Sequence, residues 1–281
     1  MAKNSTNLTW PRVGFLGCGN MGGALLKGMI GSGNWKPENL KVLETDPQKA
    51  EVWKADWQVS IVLDIHSLLD EVDAVVLAVK PQIFPEESIQ QGFHNFLKTQ
   101  DTKPPVLISL MAGLSSAKLT AMVGEAFPVV RTMPNLPLSV GVGVTAIEQG
   151  HHSEDVLQGV ETIFQSAGGT VRVKESQMDA VTGLSGSGPM YVFEFINGLI
   201  EAGKSNGLAE EASRSLAIQT AKGALKLLES SEETPSQWTE KVCSKGGTTL
   251  AGLGVLEERG FQQTLHEAVS AATKRSVELG R

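Results

Sequence analysis

At 281 residues the chain is long enough for two domains of ordinary size. Its 41% hydrophobic and 20% charged residues supply a core and exclude wholesale disorder, and a net charge of −7 excludes the basic surface that nucleic-acid phosphates require. No apolar run approaches the roughly 20 residues of a membrane span, and two cysteines, Cys18 and Cys243, make neither a disulfide framework nor a metal cluster.

The first ten residues have no apolar h-region of a secretory leader, so the chain reads as a protein of the reducing cytoplasm. On that reading Asn4 and Asn7 head glycosylation-type tripeptides by chance. Val13-Gly14-Phe15-Leu16 is an apolar run ending in glycines and predicts a buried strand. Residues 21–30 have helical spacing. Lys41-Val42-Leu43 predicts a second strand, and Asp46-Pro47 a helix start with Asp46 as N-cap and Pro47 in the first turn. The unbroken apolar run 74–79, bounded by Asp73 and Lys80-Pro81, predicts a central parallel strand. Further strands are expected at 106–109, 129–131, 142–147 and 171–173. Strands alternating with helices imply an α/β domain with a parallel sheet of Rossmann type.

Strand signals then stop. Helices are predicted at 178–201, 210–229, 237–242, 249–258 and 262–279, with Thr234-Pro235 as a helix start and Gly207 and Gly260 as helix-ending glycines. The expected division is 11–173, a dinucleotide-binding domain, and 174–281, an all-α domain able to pair with its own copy.

The 30 glycines are clustered. Gly17-Cys18-Gly19-Asn20-Met21-Gly22 matches G-x-G-x-x-G between a predicted strand and a predicted helix. Gly17 would permit the tight turn, Gly19 the approach of a pyrophosphate, and Gly22 close packing of helix on strand. The helix N-terminus at Asn20 and Met21 would supply N–H groups to the phosphates. A glycine-rich turn without a ligand is the plainer alternative. Glu44 lies at the end of the second strand, with Asp46 two residues on. An acid there can accept from a ribose 2′-hydroxyl and repel a 2′-phosphate, which leans the cofactor towards NADH over NADPH. Asp46 reads equally well as a helix cap alone.

Five segments occur in order: Phe15 to Gly22, Ala78-Val79-Lys80-Pro81, Arg131-Thr132-Met133-Pro134-Asn135, Thr182-Gly183-Leu184-Ser185-Gly186-Ser187-Gly188-Pro189, and Val242-Cys243-Ser244-Lys245-Gly246-Gly247-Thr248-Thr249. Together they resemble the pyrroline-5-carboxylate reductases from about residue 13 to 279. The resemblance implies hydride transfer from NADPH or NADH to a cyclic imine giving L-proline, and a homodimer or larger homo-oligomer. It implies cofactor contacts at Ala78, Val79, Lys80, Pro81 and Asn135, a catalytic hydroxyl on Thr249 aimed at the imine nitrogen, and an acidic substrate contact at Glu175. The chain departs from the family pattern at Met111, Leu136, Lys245 and Glu44-Thr45-Asp46. The last departure bears on the cofactor.

The substrate carries a carboxylate. Gly246-Gly247-Thr248-Thr249 opens a predicted helix whose free N–H groups suit an anion, with Ser244 and Lys245 flanking it. A plain helix start is the alternative. Glu175 reads equally as a solvated charge. Ser185 to Gly188 ahead of Pro189 predict a kink or a tight helix contact. None of the five histidines falls in a motif. That favours an imine, which can bring its own proton, over a ketone, which wants a positioned donor. A hydroxyacid dehydrogenase of the same two-domain plan would need a helix lysine, for which Lys204 is the candidate. A dinucleotide sensor without turnover, or a hydrolase, are the remaining readings. G-x-S-x-G fails at both Ser185 and Ser187, which weakens the hydrolase.

Overall fold

The computed structural model describes residues 10–99 and 103–280. The tripeptides at Asn4 and Asn7 lie outside them. Eight strands form one sheet: β1 Val13–Leu16, β2 Leu40–Leu43, β3 Ser60–Ile61, β4 Ala74–Leu77, β5 Val106–Ser109, β6 Val129–Met133, β7 Gly143–Glu148 and β8 Gly168–Val173, in the spatial order 3-2-1-4-5-6-7-8. Six helices connect them: α1 Asn20–Ser32, α2 Pro47–Trp57, α3 Ile65–Leu69, α4 Glu87–Thr99, α5 Ser116–Val123 and α6 Glu154–Gln165.

Side chains alternate across the central strands. Val13 and Phe15 of β1, Val76 of β4 and Ile108 of β5 face a core with Leu25, Met29 and Phe164. Leu16, Val75 and Leu107 face a second core with Leu68, Phe93 and Phe127. A strand buried on both faces reads as a continuous apolar run, and the sequence shows this for β1, β4 and β5.

One strand pair departs from the expected parallel sheet. β6 and β7 are antiparallel, with Thr132 opposite Ile147 and Met133 opposite Ala146. Only a 3-10 turn, Leu136–Val140, separates them, and a connection that short cannot make a parallel crossover. The central strand also stops at Leu77 rather than at residue 79. Ala78 N still donates to Leu16 O at 2.9 Å, after which the chain leaves the sheet.

The remaining helices are α7 Met178–Val181, α8 Gly188–Ser205, α9 Glu210–Glu229, α10 Pro235–Val242, α11 Thr248–Glu258 and α12 Phe261–Leu279. The stretch expected to kink or pack tightly at Ser185 to Gly188 ahead of Pro189 is interrupted by a π turn at Thr182–Gly186, and the proline itself makes no bend. Pro189 lies in the first turn of α8, where its missing N–H costs nothing. Gly186, at the end of the π turn, packs closely on Met133, whose Cε would stand 2.5 Å from an added Cβ. Gly207 and Gly260 follow α8 and α11 as expected, their amides donating to Lys204 O and Glu257 O.

By packing the chain divides into two units. One holds the chain up to Gly186 together with the stretch from Ala272 onward, and the other is Ser187–Ala271. In the second unit no residue of α8 is buried, although Val192, Phe193, Phe195 and Leu199 lie on it. Leu216 and Leu225 of α9 and Val255 and Leu256 of α11 are exposed as well. An apolar surface of this extent marks an interaction face. Among the described residues no helix is long and apolar enough to cross a membrane.

Candidate active site

The glycine turn follows β1. Gly17 has φ +80°, a left-handed conformation that favours glycine, and its amide donates to Leu43 O at 2.9 Å. A Cβ on Gly22 would lie 2.7 Å from Ala78 Cβ and 3.0 Å from Gly17 O. Gly19, the N-cap of α1, has no atom within 4 Å of an added Cβ. No side chain caps α1 and no acid stands in its first turn, so the N–H groups at Asn20, Met21 and Gly22 lack helical partners. Together these features make a positively polarised end with free approach, which fits a dinucleotide pyrophosphate.

This end borders a cleft of ≈ 770 Å³ at the carboxyl ends of β1, β2 and β4, lined in part by Gly17, Gly19, Glu44, Ala78, Val79 and Lys80. Strand order reverses between β1 and β4, which is where open α/β sheets bind their ligands. Another cleft, of ≈ 670 Å³, is lined by residues at the amino ends of the strands, Arg12, Asp73 and Val106 among them, and includes no motif residue.

Glu44 and Asp46 separate in role. The Glu44 carboxylate accepts from Cys18 N and from Asp46 N, both at 3.1 Å, and so is held between the loops after β1 and β2 while lining the cleft. Asp46 caps α2, accepting from Gln48 N at 3.0 Å and Lys49 N at 3.4 Å. Burial, with Glu44 beside it, pushes the Cys18 thiol far up, so this cysteine is a packing residue and no nucleophile.

Ala78 and Val79 pack on the glycine turn, as the Cβ distances at Gly22 and Gly17 show. Lys80 is exposed at the cleft and Pro81 is half-buried beyond it. Asn135 Oδ1 accepts from Val144 N at 2.9 Å, pinning the turn between β6 and β7.

Glu175 is a half-buried charge with fixed partners. Its Oε1 accepts from Ser116 N at 2.7 Å, at the first residue of α5, and stands 3.9 Å from Arg131 Nη1. Ser116 also reaches a second acid, its Oγ donating to Glu148 Oε2 at 2.6 Å. Glu148 is buried at the end of β7, with His152 Nε2 4.0 Å away. Burial pushes its carboxyl up, but His152 and Ser116 outweigh burial and hold it below the ordinary value. The sequence reading missed this cluster of Arg131, Glu148 and Ser116. Its one signal was a charged residue inside each of two apolar strands.

The motif from Ser244 to Thr249 lies in the second unit. Gly247 is the N-cap of α11, without a side-chain cap, and its amide donates to Ser244 O at 2.9 Å. A Cβ on Gly247 would collide with Ser244 Oγ, which accounts for one glycine of the pair. Ser244, Lys245, Thr248 and Thr249 are exposed around this helix end, whose first-turn amides are unpaired within the helix. The sequence-predicted residues thus form two groups, one round the cleft of the first unit and one at the start of α11.

Lys204 sits in the last turn of α8, 2.9 Å from Glu201 Oε1 and 3.6 Å from Glu210 Oε2. Glu201 and Glu210 raise its pKa, the wrong direction for a lysine that must give up a proton.

Residues 175–279 match the family described as pyrroline-5-carboxylate reductase dimerisation, and residues 12–113 match that described as coenzyme F420-dependent NADP oxidoreductase. The pyrroline-5-carboxylate reductase of Synechocystis sp. is 37% identical over 96% of this chain and 98% of its own. That of Aquifex aeolicus is 35% identical over 95% and 97%. Among solved structures, the Plasmodium falciparum pyrroline carboxylate reductase with NADP bound shares 34% identity over 96% of this chain and 98% of its own, with a TM-score of 0.82. The Coxiella burnetii enzyme shares 30% over 96% and 99%, with a TM-score of 0.88.

Proposed function

The chain belongs to the pyrroline-5-carboxylate reductase family, and from that premise we propose how its residues divide the work. The protein is an NAD(P)H-dependent oxidoreductase of proline biosynthesis that reduces 1-pyrroline-5-carboxylate to L-proline. The nicotinamide, when bound, supplies the hydride to the imine carbon. The observation that supports its site here is the uncapped end of α1 behind Gly17 and Gly19, open to the cleft.

In this reading the amides at Asn20, Met21 and Gly22 hold the pyrophosphate, and Ala78, Val79, Lys80, Pro81 and Asn135 frame the rest of the cofactor. Glu44 takes the ribose 2′-hydroxyl, because its carboxylate is already held at the cleft by two backbone amides. A fixed negative charge there disfavours a 2′-phosphate, so the preferred cofactor is NADH.

The substrate carboxylate sits on the amides of Gly246, Gly247 and Thr248, with Ser244 beside them. Thr249 holds the imine nitrogen through its hydroxyl, and Glu175 places an acid near the substrate. A protonated imine needs orientation and charge complementarity more than a proton donor.

The domain division that serves this chemistry is 11–173 and 174–281. The exposed apolar helices of the second unit are covered by a second copy, with larger assemblies built from that dimer. Cys18 and Cys243, both free, accord with a cytoplasmic protein.

The test is direct. Purified protein should oxidise NADH or NADPH on addition of pyrroline-5-carboxylate, with NADH the faster. No turnover with either nicotinamide would overturn the activity, and faster turnover with NADPH would overturn the role of Glu44.

A further inference from the structure

The C-terminal end of α12 meets α7, and the residue after it meets the loop after β5. Ser276 is 3% exposed, and its Oγ donates to Asp179 Oδ1 at 2.6 Å. Asp179 Oδ1 stands 3.9 Å from Arg131 Nη2, and Glu175 Oε1 stands 3.9 Å from the other terminal nitrogen of the same guanidinium. Arg131 is 6% exposed in β6, two residues ahead of Met133 and the Pro134-Asn135 turn. A buried cation with two carboxylates, one of them tied to a buried hydroxyl, is a fixed point for that strand end.

The second contact is on the loop after β5. A Cβ on Gly113 would meet the Leu279 carbonyl carbon at 3.2 Å and Gly280 N at 3.3 Å, so this glycine lets the chain end lie against the loop. Lys118 Nζ donates to the Gly280 carbonyl. The loops after β5 and β6 are joined at their bases, since Thr132 Oγ1 donates to Ser109 O at 2.9 Å.

These loops leave the carboxyl ends of β5 and β6, on the β4 side of the switch point. A dinucleotide whose pyrophosphate lies on α1 extends its second half across those ends. We propose that residues 276–280 form a latch that holds the loops after β5 and β6 in place for the nicotinamide, so that the end of the chain sets the geometry of hydride transfer. Ser276, Asp179 and Arg131 are positioning residues, since they act through the loops. The proposal rests on the reductase reading, because only hydride transfer gives those loops this task.

The test uses the full chain with Ser276→Ala and Ser276→Thr. Four quantities are measured: kcat, KM for the imine, the deuterium effect on kcat with cofactor deuterated at the transferred position, and amide exchange in the absence of substrate. Misplacement of reacting groups by about 1 Å costs up to ~100-fold, so a loosened latch should lower kcat by about 10-fold or more. Ser276→Ala should also raise the deuterium effect, leave KM within about twofold, and speed amide exchange at 111–115 and 133–135; threonine, which keeps the hydroxyl, should restore all of these. If the alanine variant does not fold, Asp179→Asn removes the charge facing Arg131 and should give the same pattern. An unchanged kcat and deuterium effect, with faster exchange confined to 272–280, would overturn the latch. Failure of the wild-type protein to turn over would undo the reductase reading instead, and the exchange measurement would still decide whether the chain end orders the loops.

Discussion

Adding one methyl group at Gly19 and one at Gly22 should separate cofactor binding from folding. At Gly19 an alanine Cβ meets no atom within 4 Å, and the backbone, at φ −72°, accepts any L residue. Alanine is a poorer N-cap than glycine by about 0.5 kcal/mol, while the stiffer unfolded chain returns ~0.4–1 kcal/mol, so stability should hardly change. The new methyl group would nevertheless stand where the pyrophosphate must approach the α1 amides. Losing one or two charge-assisted hydrogen bonds at ~1.5–3 kcal/mol each weakens cofactor binding by about 10-fold to over 100-fold.

At Gly22 the Cβ would lie 2.7 Å from Ala78 Cβ and 3.0 Å from a backbone oxygen, neither of which can swing away. Overpacking costs about 1–3 kcal/mol and helix propensity returns ~1, leaving a net loss of roughly 0–2 kcal/mol and a Tm lower by a few degrees. α1 must also shift off β4, so cofactor binding weakens too. Thermal denaturation with and without NADH, and a titration followed by tryptophan fluorescence, give both quantities. A Gly19→Ala protein that binds cofactor like wild type would refute the phosphate role of the α1 end. One that loses as much stability as Gly22→Ala would refute the open-space argument.

Thr249→Ala should lower kcat/KM by about 10- to 100-fold with no change in Tm, because the side chain is exposed and its hydroxyl would act only on the substrate; steady-state rates with the imine check this. Glu44→Gln keeps the side-chain shape and removes the charge, so the NADPH-to-NADH ratio of kcat/KM should rise by about 10-fold. An unchanged ratio would take Glu44 out of cofactor selection. The Glu148 carboxyl has a lower pKa folded than unfolded, so its stabilising contribution is complete above the ordinary value of 4.5 and is lost as pH falls through the folded one. The Tm gap between wild type and Glu148→Gln should therefore be constant near neutrality and shrink on acidification below that value. Phe193→Asp, on the exposed face of α8, should yield a smaller species by sedimentation if that face is covered by a second copy.

Much of the site was legible because it is built from backbone. Gly17, Gly19 and Gly22 announce a turn, an approach and a close contact by their spacing alone, although the neighbours that Gly17 and Gly22 meet, Val79 and Ala78, come from the segment after β4. The cap at Asp46 and the first-turn prolines of α2 and α10 are local signals as well. Glu44 and Asp46 were legible as a pair of acids but not as individuals. Their separation depends on Cys18 N, which comes from the loop after β1.

Residues whose partners are distant in sequence were left open or passed over. Glu175 read equally as a substrate acid and as a solvated charge, because Ser116 and Arg131 lie far from it along the chain. Arg131, Glu148 and Ser276 were not singled out, since a lone polar residue in an apolar strand or helix carries no sign of what it meets. The antiparallel turn between β6 and β7 was hidden by the same limit, because strand direction is set by which edge a short connection can reach.

Taken alone, then, the order of residues determined the alternation of strands and helices, the change to helices near residue 174, and the places where backbone must be bare. Those features show in patterns a turn or two long, where spacing in sequence is spacing in space, even where, as at Gly22, the neighbour itself is distant in sequence. Tertiary structure decided which acid faces the cleft, which charges are buried together, and that residues 276–280 meet α7 and the loop after β5. Those pairs join groups from 26 residues apart, as Cys18 and Glu44, to 162 apart, as Lys118 and Gly280, and chain folding alone brings them together.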